Sequence, residues 1–264
     1  MAGSYRNAGT GIALLLVLAG LNAAYAQDTI LAAFKQANAA ISHDLSKGKA
    51  PAGMSNPAYA KQVSQAFDLA VAEIAKDEPI SSILDICGEA IKTRTQYMLF
   101  GLKQEIANTA EAEKVVRAMQ VKSRNILRFQ DEMTAAMRFE VACLAKMAMK
   151  LDAFLGQLKA GDLSPVRRAA VQQLQRGMVE VVSGLALNQL DDFRADNRQI
   201  LLDALVRNIG PYTAAMTTAS RRAAVANVEK VLLAPTISLD AKEKLRKVLK
   251  ALNRTDCGTS CSFQ

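Results

Sequence analysis

The chain has 264 residues, half of them hydrophobic, with no tryptophan, a single histidine and a formal net charge of +8. That length supplies one domain with a sizeable core, or two small ones. The absence of a second histidine argues against most zinc sites and against catalysis that pairs histidines. The strong helix formers alanine, leucine, lysine, arginine, glutamine and glutamate dominate the composition.

The chain opens with a targeting pattern. Arg6 gives a weakly positive start, Ile12 to Leu21 form a short apolar core, and Ala24-Tyr25-Ala26 fits a small-x-small cleavage site. Residues 1–26 are read as a cleaved signal peptide, with the mature chain starting at Gln27. Its apolar core is too short to span a bilayer comfortably, and no later stretch has the run of about eighteen apolar residues that a span needs. The expected location is secreted or periplasmic.

A first helix is predicted from Thr29 to about Lys47, capped by Asp28, with Ile30, Leu31, Phe34, Ala37, Ile41 and Leu45 on one face. His43 lies on its polar side, in surface company. Residues 48–57 hold two glycines and two prolines and read as a loop. A second helix follows from Ala58 to Lys76, and Asp77-Glu78-Pro79 breaks it. The third runs from Ile80 to Ala107, weakened but not ended by Gly88 and Gly101.

Thr109 to Ala160 is the longest helix signal. It contains no proline and only Gly156 near its end, with Asn108 and Glu111 available as a capping box and Gly161 as a stop. Read as continuous, it has ~52 residues and spans roughly 78 Å. Met119, Ile126, Met133, Met147 and Phe154 recur every seven residues, with Val116, Met137, Leu144, Leu151 and Leu158 as a companion line. Ser123, Gln130 and Glu140 interrupt this seam. From Phe139 to Leu158 the apolar surface widens around the helix, which places the second half inside a bundle and the first half nearer the surface.

Beyond it, Gly161-Asp162-Leu163-Ser164-Pro165 is the clearest turn, with Ser164 as cap and Pro165 in the first helical position. Helices are predicted from Pro165 to Leu190, from Asn197 to Ile209 with Gly210-Pro211 as its end, from Tyr212 to Leu233, and from Leu239 to Leu252. The expectation is an all-α, elongated bundle of six to eight helices around a long central one. Residues 27–253 form a single domain, followed by a cysteine-containing tail over 254–264.

Several motifs are missing: no C-x-x-C-H, no E-x-x-H pair, no glycine-rich phosphate loop and no G-x-S-x-G elbow. Glu140 is the one acid on the seam. It reads as a buried register-setter or a ligand contact in the core, or else as a surface residue or a simple ion pair with an arginine, and the looseness of a seam drawn from one sequence favours the latter. Met133, Met137, Met147 and Met149 cluster at core spacing; thioethers bind Cu(I), but without a nearby histidine they read as core filling.

The four cysteines allow three pairings in a secreted chain. Cys257 and Cys261, with Gly258 between them, favour a local bridge; a redox or metal-binding C-x-x-x-C is the alternative. In a simple hairpin turning at Asn108, Cys87 faces Phe129 and Cys143 lies about 21 Å further along, too far for the ~7 Å that a bridge tolerates. Cys87 and Cys143 are therefore expected as buried thiols. A Cys87–Cys143 bridge would demand a break in the long helix, best placed between Arg128 and Glu132.

The expected function is that of an exported, non-enzymatic interaction protein of the envelope or extracellular space, with no catalytic residue and no cofactor. Its partner would be a protein or an anionic envelope surface, not a nucleic acid. Even so, basic and acidic residues alternate nearly everywhere, as on solvated faces. The alternatives are a carrier holding a small ligand or metal around Glu140 and the methionines, and an envelope hydrolase of unrecognised type.

Overall fold

A computed structural model describes residues 29–68, 80–158, 163–190 and 193–254. Among them the protein is all-α, with ten α-helices and no strand. In chain order these are α1 (Thr29–Ser46), α2 (Pro57–Phe67), α3 (Ile80–Met98), α4 (Leu102–Ile106), α5 (Glu111–Arg128), α6 (Gln130–Gly156), α7 (Pro165–Leu187), α8 (Ala195–Ala215), α9 (Thr218–Leu232) and α10 (Leu239–Leu252). A short 3-10 turn, Asn188–Leu190, follows α7. The signal-like segment, the Gly161-Asp162 turn and the Cys257/Cys261 pair lie outside the described residues.

Two predicted helices break, which turns eight into ten. The third ends at Met98 because Gly101 takes a left-handed backbone, φ 73°. Glycine enters that region at no steric cost, so Gly101 terminates the helix instead of merely weakening it. The long helix breaks at Phe129, where φ −108° and ψ 31° leave the helical region. The amide of Phe129 still donates to Asn125 O at 2.9 Å, and its carbonyl accepts from Met133 at 2.8 Å, so the elbow leaves its own backbone groups satisfied.

Packing explains the bend. Phe129 is buried, with its ring 5.7 Å from Tyr97 and 5.8 Å from Phe100. Asn125, one turn earlier, donates to Met98 O and Phe100 O at 3.1 and 2.7 Å, satisfying carbonyls left over where α3 ends. The predicted capping box is not used: α5 begins after Ala110, and no side chain caps it.

The second helix ends at Phe67 with Asp68 as its C-cap, nine residues short of the predicted Lys76, and the predicted Asp77-Glu78-Pro79 break lies outside the described residues. Pro211 sits inside α8 instead of ending its predecessor, because Tyr212 beside it is fully buried and donates its hydroxyl to Val141 O at 2.7 Å. That anchor on α6 holds the helix through the bond that proline cannot make. The break falls instead at Met216, and the Thr217 side chain caps α9. Ser164 and Ser238 cap α7 and α10 by accepting the amides of Arg167 and Ala241.

The central element is α6. It packs chiefly against α8 and α3, and also touches α2, α5 and α7. Phe139, Val141, Cys143, Ala145, Met147, Ala148, Leu151 and Leu155 are all buried along it, which is the wide apolar circumference expected of a central helix. Outside this core, α9 lies against α7, α10 closes on α8 and α9, and α1 covers α2 and α3.

Candidate functional sites: two buried acids and an exposed helix face

Glu140 is in the core and it is paired. Arg94 Nε donates to its Oε1 at 2.5 Å, with the carboxylate nearly sealed from solvent and the guanidinium partly open. Burial pushes the Glu140 carboxyl above its ordinary range, and the Arg94 charge and hydrogen bond act against that rise. Of the readings open to Glu140, the structure shows the ion pair with an arginine, and a buried one. It ties α3 to α6. Glu140 also acts on Tyr212, whose hydroxyl is raised well above its usual value, first by burial and then by the nearby carboxylate.

A second buried acid, Glu132, had no sequence prediction attached to it. It sits in the first turn of α6 at 3% exposure. Tyr59 of α2 hydrogen-bonds it, and the Tyr59 and Tyr97 hydroxyls are 2.5 Å apart. Burial is the main cause raising the Glu132 carboxyl, and Asp131 adds to it; its backbone hydrogen bond and the Tyr59 hydroxyl oppose the rise. Both tyrosine hydroxyls are raised in turn by burial, with Glu132 contributing. A helix N-terminus favours acids in its first turn, where the unpaired amides carry partial positive charge. That signal was available in Asp131-Glu132, but only to a reading that started a helix at Gln130.

The elbow also organises the neighbouring helix. Gln130, one of the interruptions of the seam, accepts the Arg194 amide at 2.9 Å, and Asn197 Nδ2 donates to Asp131 Oδ1 at 2.9 Å. Arg194 pairs with Asp131 as well. The N-termini of α6 and α8 are thereby locked together.

Cys87 and Cys143 are not thiols. They form a disulfide between α3 and α6, with Cα atoms 5.8 Å apart. The hairpin turning at Asn108 that made this impossible does not exist: α3 stops at Met98, which shifts the register, and the long helix is interrupted at Phe129, inside the window named for such a break. The Met147 sulfur lies 3.5 Å from Cys87 Sγ. Met133 and Met147 are buried, whereas Met149 faces solvent, so the four methionines do not converge. Among the described residues no group of three His, Cys, Asp or Glu side chains is placed to hold a metal ion. Nor is any helix there long and apolar enough to cross a membrane.

The third feature is α5. Only Val121 and Asn125 are buried on it, both in its second half. Val115, Val116 and Met119 are 67%, 52% and 56% exposed, and Leu127 is also exposed. With about 100° of rotation per residue, these four side chains occupy one arc of roughly 120°. That arc lies away from the line of Val121 and Asn125 that meets α3 and α4.

Comparison of the chain with protein-family models, with curated proteins and with solved structures finds no match.

Proposed function

We propose that this chain is an exported, non-enzymatic helical binding protein of the cell envelope or extracellular space, and that α5 is its contact surface. The observation that carries the reading is the exposed apolar arc of Val115, Val116, Met119 and Leu127 on a helix that Asn125 ties to the end of α3. Val115, Val116 and Met119 group within little more than one turn, with exposed Ser123 between them and Leu127, and grouped apolar side chains exposed on a folded domain are a mark of interaction surfaces. Export is supported by the Ala24-Tyr25-Ala26 leader pattern and by the Cys87–Cys143 bridge, since such bridges persist chiefly in oxidising compartments.

The carrier reading loses its main support. Glu140, the acid that would have held a ligand, directs its carboxylate at Arg94, and Met147 packs on the disulfide.

Two measurements test the proposal. N-terminal sequencing of the exported protein is expected to begin at Gln27; a chain that retains Ile12 to Leu21 would instead be anchored. Capture of envelope components by the purified protein is expected to depend on α5, so Val116→Glu with Met119→Glu should abolish it. Undiminished capture by that folded variant would remove α5 as the contact surface.

A further inference from the structure

The charge around the α5 arc narrows the class of partner. From Lys114 to Arg128 the helix carries Lys114, Arg117, Lys122, Arg124 and Arg128 and no acidic residue. A second such run, Lys244 to Arg254, carries Lys244, Arg246, Lys247, Lys250 and Arg254 and no acid, but Leu239 is the one exposed large hydrophobic on α10, so α5 alone of the two sets its cations beside an exposed apolar arc. Lys114 is drawn to Glu111 and Arg124 to Glu105, while Arg117, Lys122 and Arg128 extend a positive field beside the arc. At about 100° per residue, Lys122 falls at one border of the apolar arc, and Arg124 and Arg117 fall beyond the other. Arg128 stands over the rings of Phe100 and Phe129 at the elbow, which fixes the cationic end of the helix.

We infer that α5 docks on an anionic phospholipid surface, lying in the headgroup plane with Val115, Val116, Met119 and Leu127 directed into it. The inference rests on the reading of α5 as the contact face. A convex ridge of four apolar side chains bordered by cations suits a bilayer interface, where shallow insertion and attraction to anionic headgroups add together. A second copy of the chain fits poorly, because pairing two α5 helices opposes basic rows of the same sign. A protein partner would have to bring a groove to this ridge and bury about 800 Å² per side to form a stable complex, and four side chains on one helix face supply only part of that.

The test is co-sedimentation of the purified exported protein with vesicles of phosphatidylcholine alone and of phosphatidylcholine mixed with phosphatidylglycerol. Binding to the anionic vesicles is expected to be on the order of a hundredfold tighter and to fall steeply as salt is raised. Val116→Glu/Met119→Glu and, separately, Arg117→Glu/Lys122→Glu are each expected to reduce it by at least about tenfold. These positions lie outside the core, and an unchanged circular-dichroism melt verifies that the variants fold. The inference is overturned if neither vesicle binds, or if binding persists undiminished in both variants. A parallel capture from a lipid-extracted envelope protein fraction separates the two levels of the argument. Protein capture that needs α5, with no vesicle binding, leaves the contact face standing and replaces the lipid with a protein. Loss of neither activity in the variants removes the contact face together with the lipid.

Discussion

Two helices of one predicted helix, α5 and α6, share an apolar period and meet opposite surroundings. Met119 on α5 and Met147 on α6 lie on the same seven-residue line, yet Met119 is more than half exposed and Met147 is buried against the disulfide. The period cannot tell them apart. What differs among the described residues is the packing: α6 has α3 and α8 on its flanks, while α5 packs mainly against α3 and the five-residue α4 and meets α6 end to end. An apolar stripe on a helix states that something covers it, and the rest of the fold decides whether the cover is internal.

The sharpest way to strain this contrast is at the buried pair that fastens α6 to α3. Arg94→Met leaves Glu140 buried without a cation and is expected to cost about 3–5 kcal/mol in chemical denaturation. Glu140→Leu is expected to be tolerated or mildly stabilising, and the double variant to recover most of the loss. An Arg94→Met protein within ~1 kcal/mol of the parent would mean that the pair carries no such burden. The methionines then address the comparison itself: Met147→Ala should cost about 2–5 kcal/mol, and Met119→Ala less than about 0.5. Equal costs would erase the distinction between the two helices.

Removing the bridge by Cys87→Ala/Cys143→Ala is expected to cost about 2–4 kcal/mol, as the 56-residue separation implies; a variant as stable as the parent contradicts a covalent tie here. The smallest effect concerns Glu132, which faces Tyr59, Tyr97 and Asp131. Its folded-state carboxyl is raised, so the folded protein holds a proton that the unfolded chain has released. Its contribution is therefore full below the ordinary carboxylate range and is lost as pH rises through the raised value. The slope is at most about 1.4 kcal/mol per pH unit for one proton. Glu132→Gln should flatten that part of the stability-against-pH curve; an unchanged curve would place the titration elsewhere.

The all-α architecture was legible because caps and apolar period act locally: Ser164-Pro165 starts α7 where expected, and α10 matches its predicted span. The breaks at Gly101 and Phe129 were not legible. Gly101 could be tolerated or terminating, and only the position of α5 decides between them. Phe129 looks like any apolar helical residue until Tyr97 and Phe100 are seen to close around its ring. The cysteine pairing inherited the Gly101 error: the 21 Å objection carried the third helix on to a turn at Asn108, whereas α3 ends at Met98 with Asn125 already beside Met98 and Phe100, and that shift of register brings Cys87 beside Cys143. Glu140 stood out as the acid on the seam, but its partner Arg94 lies 46 residues away, a contact that spacing alone cannot supply.

Non-reducing peptide mapping of the purified protein tests the central claim most directly, namely that α3 ends at Met98 and meets α6 in the register that sets Cys87 against Cys143. The account predicts one peptide pair joining Cys87 to Cys143. Free thiols at both positions, or either cysteine joined instead to Cys257 or Cys261, would contradict it.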